Sequence, residues 1–174
     1  MFIEEAGKLK VGDPLDEQTD LAAMISENDV IRAKAWIQDA VKNGAELVYG
    51  GESEKQILKP TVLLNAQLTD KVSCEEVFAP VVHINTFKEF DDAIEQVNDS
   101  KFGLQAGVYT NDLQKAFKAA KILHVGGVMI NDIPTFRVDH MPYGGVKLSG
   151  TGREGIKYAL EEMTELKLVS IKLD

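Results

Sequence analysis

A single cysteine among 174 residues excludes an internal disulfide, so only packing and hydrogen bonds can hold this chain together. Histidine is nearly as scarce. His83, His124 and His140 stand far apart with no i,i+4 or Cys-x-x-Cys partner, and the sequence therefore supplies no set of metal ligands. Basic residues are the minority, 19 against 28 acidic ones for a formal net charge of -9, which disfavours nucleic acid phosphates or anionic lipid as partners. No apolar run approaches the ~20 residues that cross a bilayer, and the start MFIEEAGKLK has neither the basic flank nor the apolar stretch of a signal peptide. A cytoplasmic protein with no membrane and no nucleic acid partner is the expectation. Also missing are a serine in a G-x-S-x-G elbow and a G-x-x-x-x-G-K-[ST] loop, the commonest hydrolase and P-loop signatures. What remains is a chain of 44% hydrophobic residues, enough to enclose one sizeable core.

Along the chain, helix and strand patterns alternate. ISENDVIRAKAWIQDAVKNG, residues 25–44, predicts an amphipathic helix that Ser26 caps and Gly44 stops, with Val30, Ala33, Ile37 and Val41 at helical spacing. ELVYG at 46–50, PTVLL at 60–64 and VVHINTF at 81–87 suit strands, being rich in β-branched residues and bounded by Gly, Pro or polar clusters. A helix over DDAIEQVND, a strand over QAGVYT, a helix over LQKAFKAAKIL capped by Asn111, and a strand over VMIND follow. After Asp132 a loop rich in Gly and Pro runs to about Gly152, then a helix covers GIKYALEEMTE. Such alternation predicts an α/β fold with a mostly parallel sheet flanked by helices. The closing LKLVSIKL alternates as a strand with apolar groups on both faces, so it needs a neighbour in the domain or in another subunit.

Candidate chemistry is sparse. Cys74 sits in KVSCEEVFAPVV, residues 71–82, beside Glu75 and Glu76. Those carboxylates oppose formation of a thiolate, and no histidine lies nearby, so a small structural thiol is favoured over a nucleophile. GTGREG, residues 150–155, matches G-x-G-x-x-G with a helix behind it and Asp174 near the place of a ribose-binding acid, but no apolar strand leads into its first Gly. Arg137, in NDIPTFRVDHMPYGG, either lines a pocket together with Phe136 or pairs with Asp139 on the surface.

The residues CEEVFAPVV, SKFGLQAGVYTNDLQKA, GGVMIND and MPYGGVKLSGTGREG, in that order and preceded by KVGDPLDEQTDLAAMI, resemble the aldehyde dehydrogenase superfamily. The likeness covers nearly the whole chain but only the C-terminal part of such enzymes. It implies residues 1–162 as part of the catalytic domain and 163–174 as a C-terminal oligomerisation strand that joins subunits into a dimer or tetramer. The family's cysteine motif, resembling F-x-N-x-G-Q-x-C, and its general-base glutamate belong to sequence upstream of Val11, so no catalytic residue is assigned within these 174 residues. AELVYGGE at 45–52 imitates the glutamate motif with the wrong spacing and order, and Glu46 receives no role.

By the same resemblance, the second glutamate of E-E-[IV]-F-G-P receives hydrogen bonds from the nicotinamide ribose of NAD or NADP, and the aromatic residue packs beside it. Here these are Glu76 and Phe78, with Ala79 where the family usually has Gly. A carboxylate suits two hydroxyl donors because both its oxygens accept. Phe136 and Arg137 would wall the aldehyde pocket, Arg137 favouring an aldehyde that carries an anionic group. The reaction so implied is thiolate attack on the aldehyde, hydride transfer to NAD or NADP, and hydrolysis of the thioester to a carboxylic acid. The alternative is a stand-alone, non-catalytic binding or oligomerisation module of the same fold.

Overall fold

The computed structural model describes residues 1–173. They gather into two compact units, one from Met1 to Phe87 and one from Lys88 on.

In the first unit a short helix, α1 (Phe2–Ala6), leads through two Asx turns at Asp13 and Asp16 to α2 (Glu27–Lys42). The Ser26 hydroxyl accepts from Asp29 N at 3.2 Å and donates to Asp29 Oδ2 at 2.6 Å, so this cap is made as the sequence predicts. The buried row differs by one position: Val30, Ala33, Ile37 and Ala40 are covered, while Val41 is 40% exposed. A drift of this kind follows from 3.6 residues per turn, which carries the fourth contact back to position 40. Then come β1 (Glu46–Tyr49), the two-residue strands β2 (Ser53–Glu54) and β3 (Ile57–Leu58), β4 (Thr61–Leu64), α3 (Lys71–Cys74) and β5 (Val81–Ile84).

The sheet order is β1-β4-β5. β4 and β5 run parallel with Leu63 opposite His83, whereas β1 is antiparallel to β4, so this sheet is mixed. Parallel pairing of neighbours demands a crossover, and the segment carrying α3 supplies it. Ala33, Ile37 and Ala40 of α2 meet Leu58, Leu63 and Val72 in one buried cluster. Gly50 turns the chain from β1 into the hairpin of β2 and β3 at φ 73, and a Cβ there would collide with the Pro60 carbonyl oxygen.

The second unit holds α4 (Phe90–Asn98), β6 (Phe102–Gly103), β7 (Gln105–Val108), α5 (Leu113–Ile122), β8 (Gly127–Ile130), β9 (Val146–Lys147) and α6 (Ile156–Met163). β7, α5 and β8 form a βαβ unit with β7 and β8 parallel. Asp112, one residue beyond the expected Asn111, caps α5 by accepting from Gln114 N at 2.8 Å and Lys115 N at 3.2 Å. Ile94, Ala119 and Leu123 are its buried cluster, flanked by Phe90, Ala106 and Val128. β9 interrupts the long loop and pairs antiparallel with β6.

The α/β expectation therefore holds, with parallel pairs β4–β5 and β7–β8 where helices cross over and antiparallel pairs β1–β4, β2–β3 and β6–β9, so the pairing is mixed. Residues 164–173 form no regular element in this chain, and their side chains are exposed. A strand exists only by its hydrogen-bonded partner, and none is supplied here among the described residues.

Candidate functional site

Cys74 ends α3, half-buried, with its Sγ 3.5 Å from the Thr69 carbonyl oxygen. That contact turns the thiol back toward its own helix. The following chain is held from α2. Arg32 donates to the Val77 carbonyl oxygen at 2.8 Å, while its guanidinium stacks 4.7 Å from the Trp36 ring centroid and faces Asp29 Oδ1 at 3.3 Å. A guanidinium can do all three because its donors fan out in a plane while its face remains free for an aromatic ring. Hydrogen bonding from Ser26, opposed in part by burial and supported by Arg32, holds the Asp29 carboxyl below its ordinary range.

With Val77 pinned, its two neighbours face water. Glu76 is exposed and makes no hydrogen bond or ion pair among the described residues, and Phe78 is 79% exposed at φ 45. A bulky residue in the left-handed region costs about 1–2 kcal/mol, and an unburied ring offsets none of it. Strain of this kind concentrates at ligand-binding positions. Ala79 carries no positive φ: the left-handed residue of this turn is Phe78, so an alanine where the family usually has glycine imposes no such strain.

In the second unit, Arg137 pairs with Glu154 and not with Asp139. Its Nη2 donates to Glu154 Oε2 at 2.8 Å, and its guanidinium lies 4.2 Å from the Tyr143 ring centroid. Phe136 is half exposed, and its N–H donates to the Ile133 carbonyl at 3.2 Å. Tyr143 and Glu154 were not singled out in the sequence, because a partner 17 residues away leaves no local pattern. Glu154 lies inside GTGREG, a stretch the structure removes from nucleotide binding. The strand before it, β9, has two residues and is antiparallel, and α6 begins only after the third Gly. Gly150, Gly152 and Gly155 instead take positive φ in an irregular stretch in which Glu154 bridges back to Tyr143. Asp174, the matching ribose acid, lies outside the described residues.

His83 lies in β5 and His124 just beyond α5, as expected from sequence. Among the described residues no group of three His, Cys, Asp or Glu is placed to hold a metal, and no helix is long and apolar enough to cross a membrane.

Comparison with known proteins places these features in context. Residues 1–169 match the model of the aldehyde dehydrogenase family. The 3-sulfolactaldehyde dehydrogenase of Priestia aryabhattai is 49% identical over 170 residues, which are 98% of this chain and 36% of that protein. Among solved structures, glyceraldehyde-3-phosphate dehydrogenase GapN from Methanocaldococcus jannaschii, complexed with NADP, superposes with a TM-score of 0.91 at 41% identity over 96% of this chain and 36% of its own. Aldehyde dehydrogenase 21 from Physcomitrella patens, in complex with the reaction product succinate, gives 0.91 at 41% identity over 94% and 34%. The chain thus spans about a third of the length of the proteins it matches. Collinear similarity across nearly every residue, on a backbone with the same course, has one reading: the chain belongs to the aldehyde dehydrogenase family.

Proposed function

We propose that this chain is the C-terminal portion of an NAD(P)-dependent aldehyde dehydrogenase that converts an aldehyde carrying an anionic group to a carboxylic acid in the cytoplasm. The observation that carries this reading is the match itself, 98% of this chain against 36% of a named dehydrogenase. Residues 1–162 would serve as catalytic-domain scaffold and 163–174 as the strand that joins subunits into a dimer or tetramer. Leu166 and Leu168, fully exposed in the single chain, are the groups such pairing would cover.

NAD or NADP, when bound, accepts the hydride. This chain's own part is to place it: Glu76 accepts from the nicotinamide ribose hydroxyls, and Phe78 gives that end an aromatic wall. Fixing Val77 through Arg32 prepares that geometry in advance, so little ordering remains to be done on binding. Phe136 and Arg137 meet the substrate's far end, where a guanidinium suits a carboxylate, sulfonate or phosphate. The names of the similar proteins include anionic aldehydes, sulfolactaldehyde and glyceraldehyde 3-phosphate, beside the neutral lactaldehyde, so the support for an anionic group is the Arg137 guanidinium and not the names.

The test is kinetic, on the enzyme that contains this segment together with its nucleotide-binding part. Glu76→Gln should raise KM for the cofactor about tenfold or more, consistent with loss of a charge-assisted hydrogen bond. Arg137→Ala should lower kcat/KM selectively for anionic aldehydes, and equal losses on neutral ones would refute the pocket assignment. Purified alone, the 174-residue chain should show no aldehyde oxidation; measurable turnover would overturn the fragment reading.

A further inference from the structure

The Arg137 guanidinium comes with its own counter-ion. Glu154 takes one Nη2 hydrogen at 2.8 Å and Tyr143 covers one face at 4.2 Å. These two partners are themselves locked opposite each other, because Tyr143 N donates to the Glu154 carbonyl at 3.1 Å and Glu154 N to the Tyr143 carbonyl at 2.6 Å. Next to them Arg153 donates to the carbonyl oxygens of Gly145 and Gly152 at 2.9 and 2.6 Å, which ties down the chain on both sides of the clamp. Yet the pair stays wet, Arg137 at 44% and Glu154 at 66% side-chain exposure. The remaining guanidinium donors are therefore within reach of a small anion. Asp139, on the same loop, makes no ion pair among the described residues.

From this arrangement we infer that Glu154 is a specificity-determining residue, setting how much negative charge the Arg137 site accepts. The inference rests on the assignment of Arg137 to the anionic end of the substrate. With Glu154 in place the pair has no net charge. A singly charged sulfonate or carboxylate can share the guanidinium by using the free N–H groups, at the cost of one carboxylate repulsion. A phosphate monoester meets that repulsion twice over, since its charge approaches two near neutral pH. Exposed pairs contribute little to folding, so the clamp's main consequence is for ligand charge. At separations of several ångströms in a partly hydrated site, removing the carboxylate should raise affinity about three- to tenfold for each negative charge on the ligand.

Methyl sulfate and methyl phosphate, close in shape and different in charge, make the measurement possible on the 174-residue chain. Each is titrated at constant ionic strength and about pH 7.5, where phosphate monoesters are mostly doubly ionised, and the backbone amide resonances of Phe136, Arg137 and Tyr143 are followed. The wild-type chain should bind methyl sulfate at least as tightly as methyl phosphate. Glu154→Gln should tighten both and reverse the order, with Glu154→Ser, a second uncharged variant, doing the same. Glu154→Asp, which keeps the charge, should retain the original order. Saturable shifts that are equal in wild type and both uncharged variants would overturn the role of Glu154 and leave that of Arg137 standing. No saturable shift in any chain, or shifts that persist in Arg137→Ala, would remove Arg137 as an anion site and the present inference with it.

Discussion

Helices α2 and α6 look alike in sequence, each with apolar residues at helical spacing and charges between them, yet they end in opposite circumstances. α2 buries Val30, Ala33, Ile37 and Ala40, whereas α6 buries nothing and leaves Ile156, Leu160 and Met163 exposed. The difference is one of partners. α2 meets a sheet strand of its own unit through Leu63, but α6 is followed by a segment, residues 164–173, with no strand pairing among the described residues. Amphipathicity states that a helix needs a cover and not where the cover is. For a family member that spans a third of its relatives' length, a missing cover is what the fragment reading entails.

Mutations should separate the two helices by their cost. Leu63→Ala, which empties the centre of the α2 cluster, should destabilise the first unit by about 3 kcal/mol in urea unfolding of the isolated chain; a loss below 1 kcal/mol would mean the cluster is loosely packed. Ser26→Ala should cost about 1 kcal/mol through the lost N-cap, and it should also flatten the acid limb of stability. Because the folded Asp29 carboxyl is held below its ordinary value near 4, the unfolded chain takes up that proton first. The contribution of this group is therefore complete above about pH 5 and disappears as pH falls through the lower folded value. Unfolding midpoints between about pH 5 and pH 2 should fall less steeply in Ser26→Ala than in wild type, and parallel curves would assign the acid loss elsewhere. Smallest of all should be Leu160→Ala on α6, within about 0.5 kcal/mol in the single chain. A larger value would show that α6 has a cover here after all, and the contrast with α2 would fall.

The local features of both units were open to inspection in the sequence because their causes lie within a few residues. Ser26 and Asp29 are three apart, and the Asp112 cap of α5 missed by one position only because Asn111 is an equally good cap by type. The short strands β2, β3, β6 and β9 escaped notice, since two residues give no period to detect. Within the candidate site, Glu76 and Phe78 came from a family motif, but the left-handed backbone of Phe78 and its support by Arg32 did not. Arg32 shows only its i,i+3 relation to Asp29 in the sequence; its bond to Val77, 45 residues away, depends on α2 crossing the sheet.

By itself, then, the sequence determined the order of the longer helices and strands, the Ser26 cap, the acidic balance and the family, all of which follow from neighbours along the chain or from an ordered set of motifs. Tertiary structure alone decided that Arg137 answers to Glu154 and Tyr143 instead of Asp139, that GTGREG bends back to bridge Tyr143 and is not a nucleotide loop, and that α2 is covered while α6 is not. Those outcomes turn on contacts between distant segments, and the energy of such a contact exists only once the fold has already brought them together.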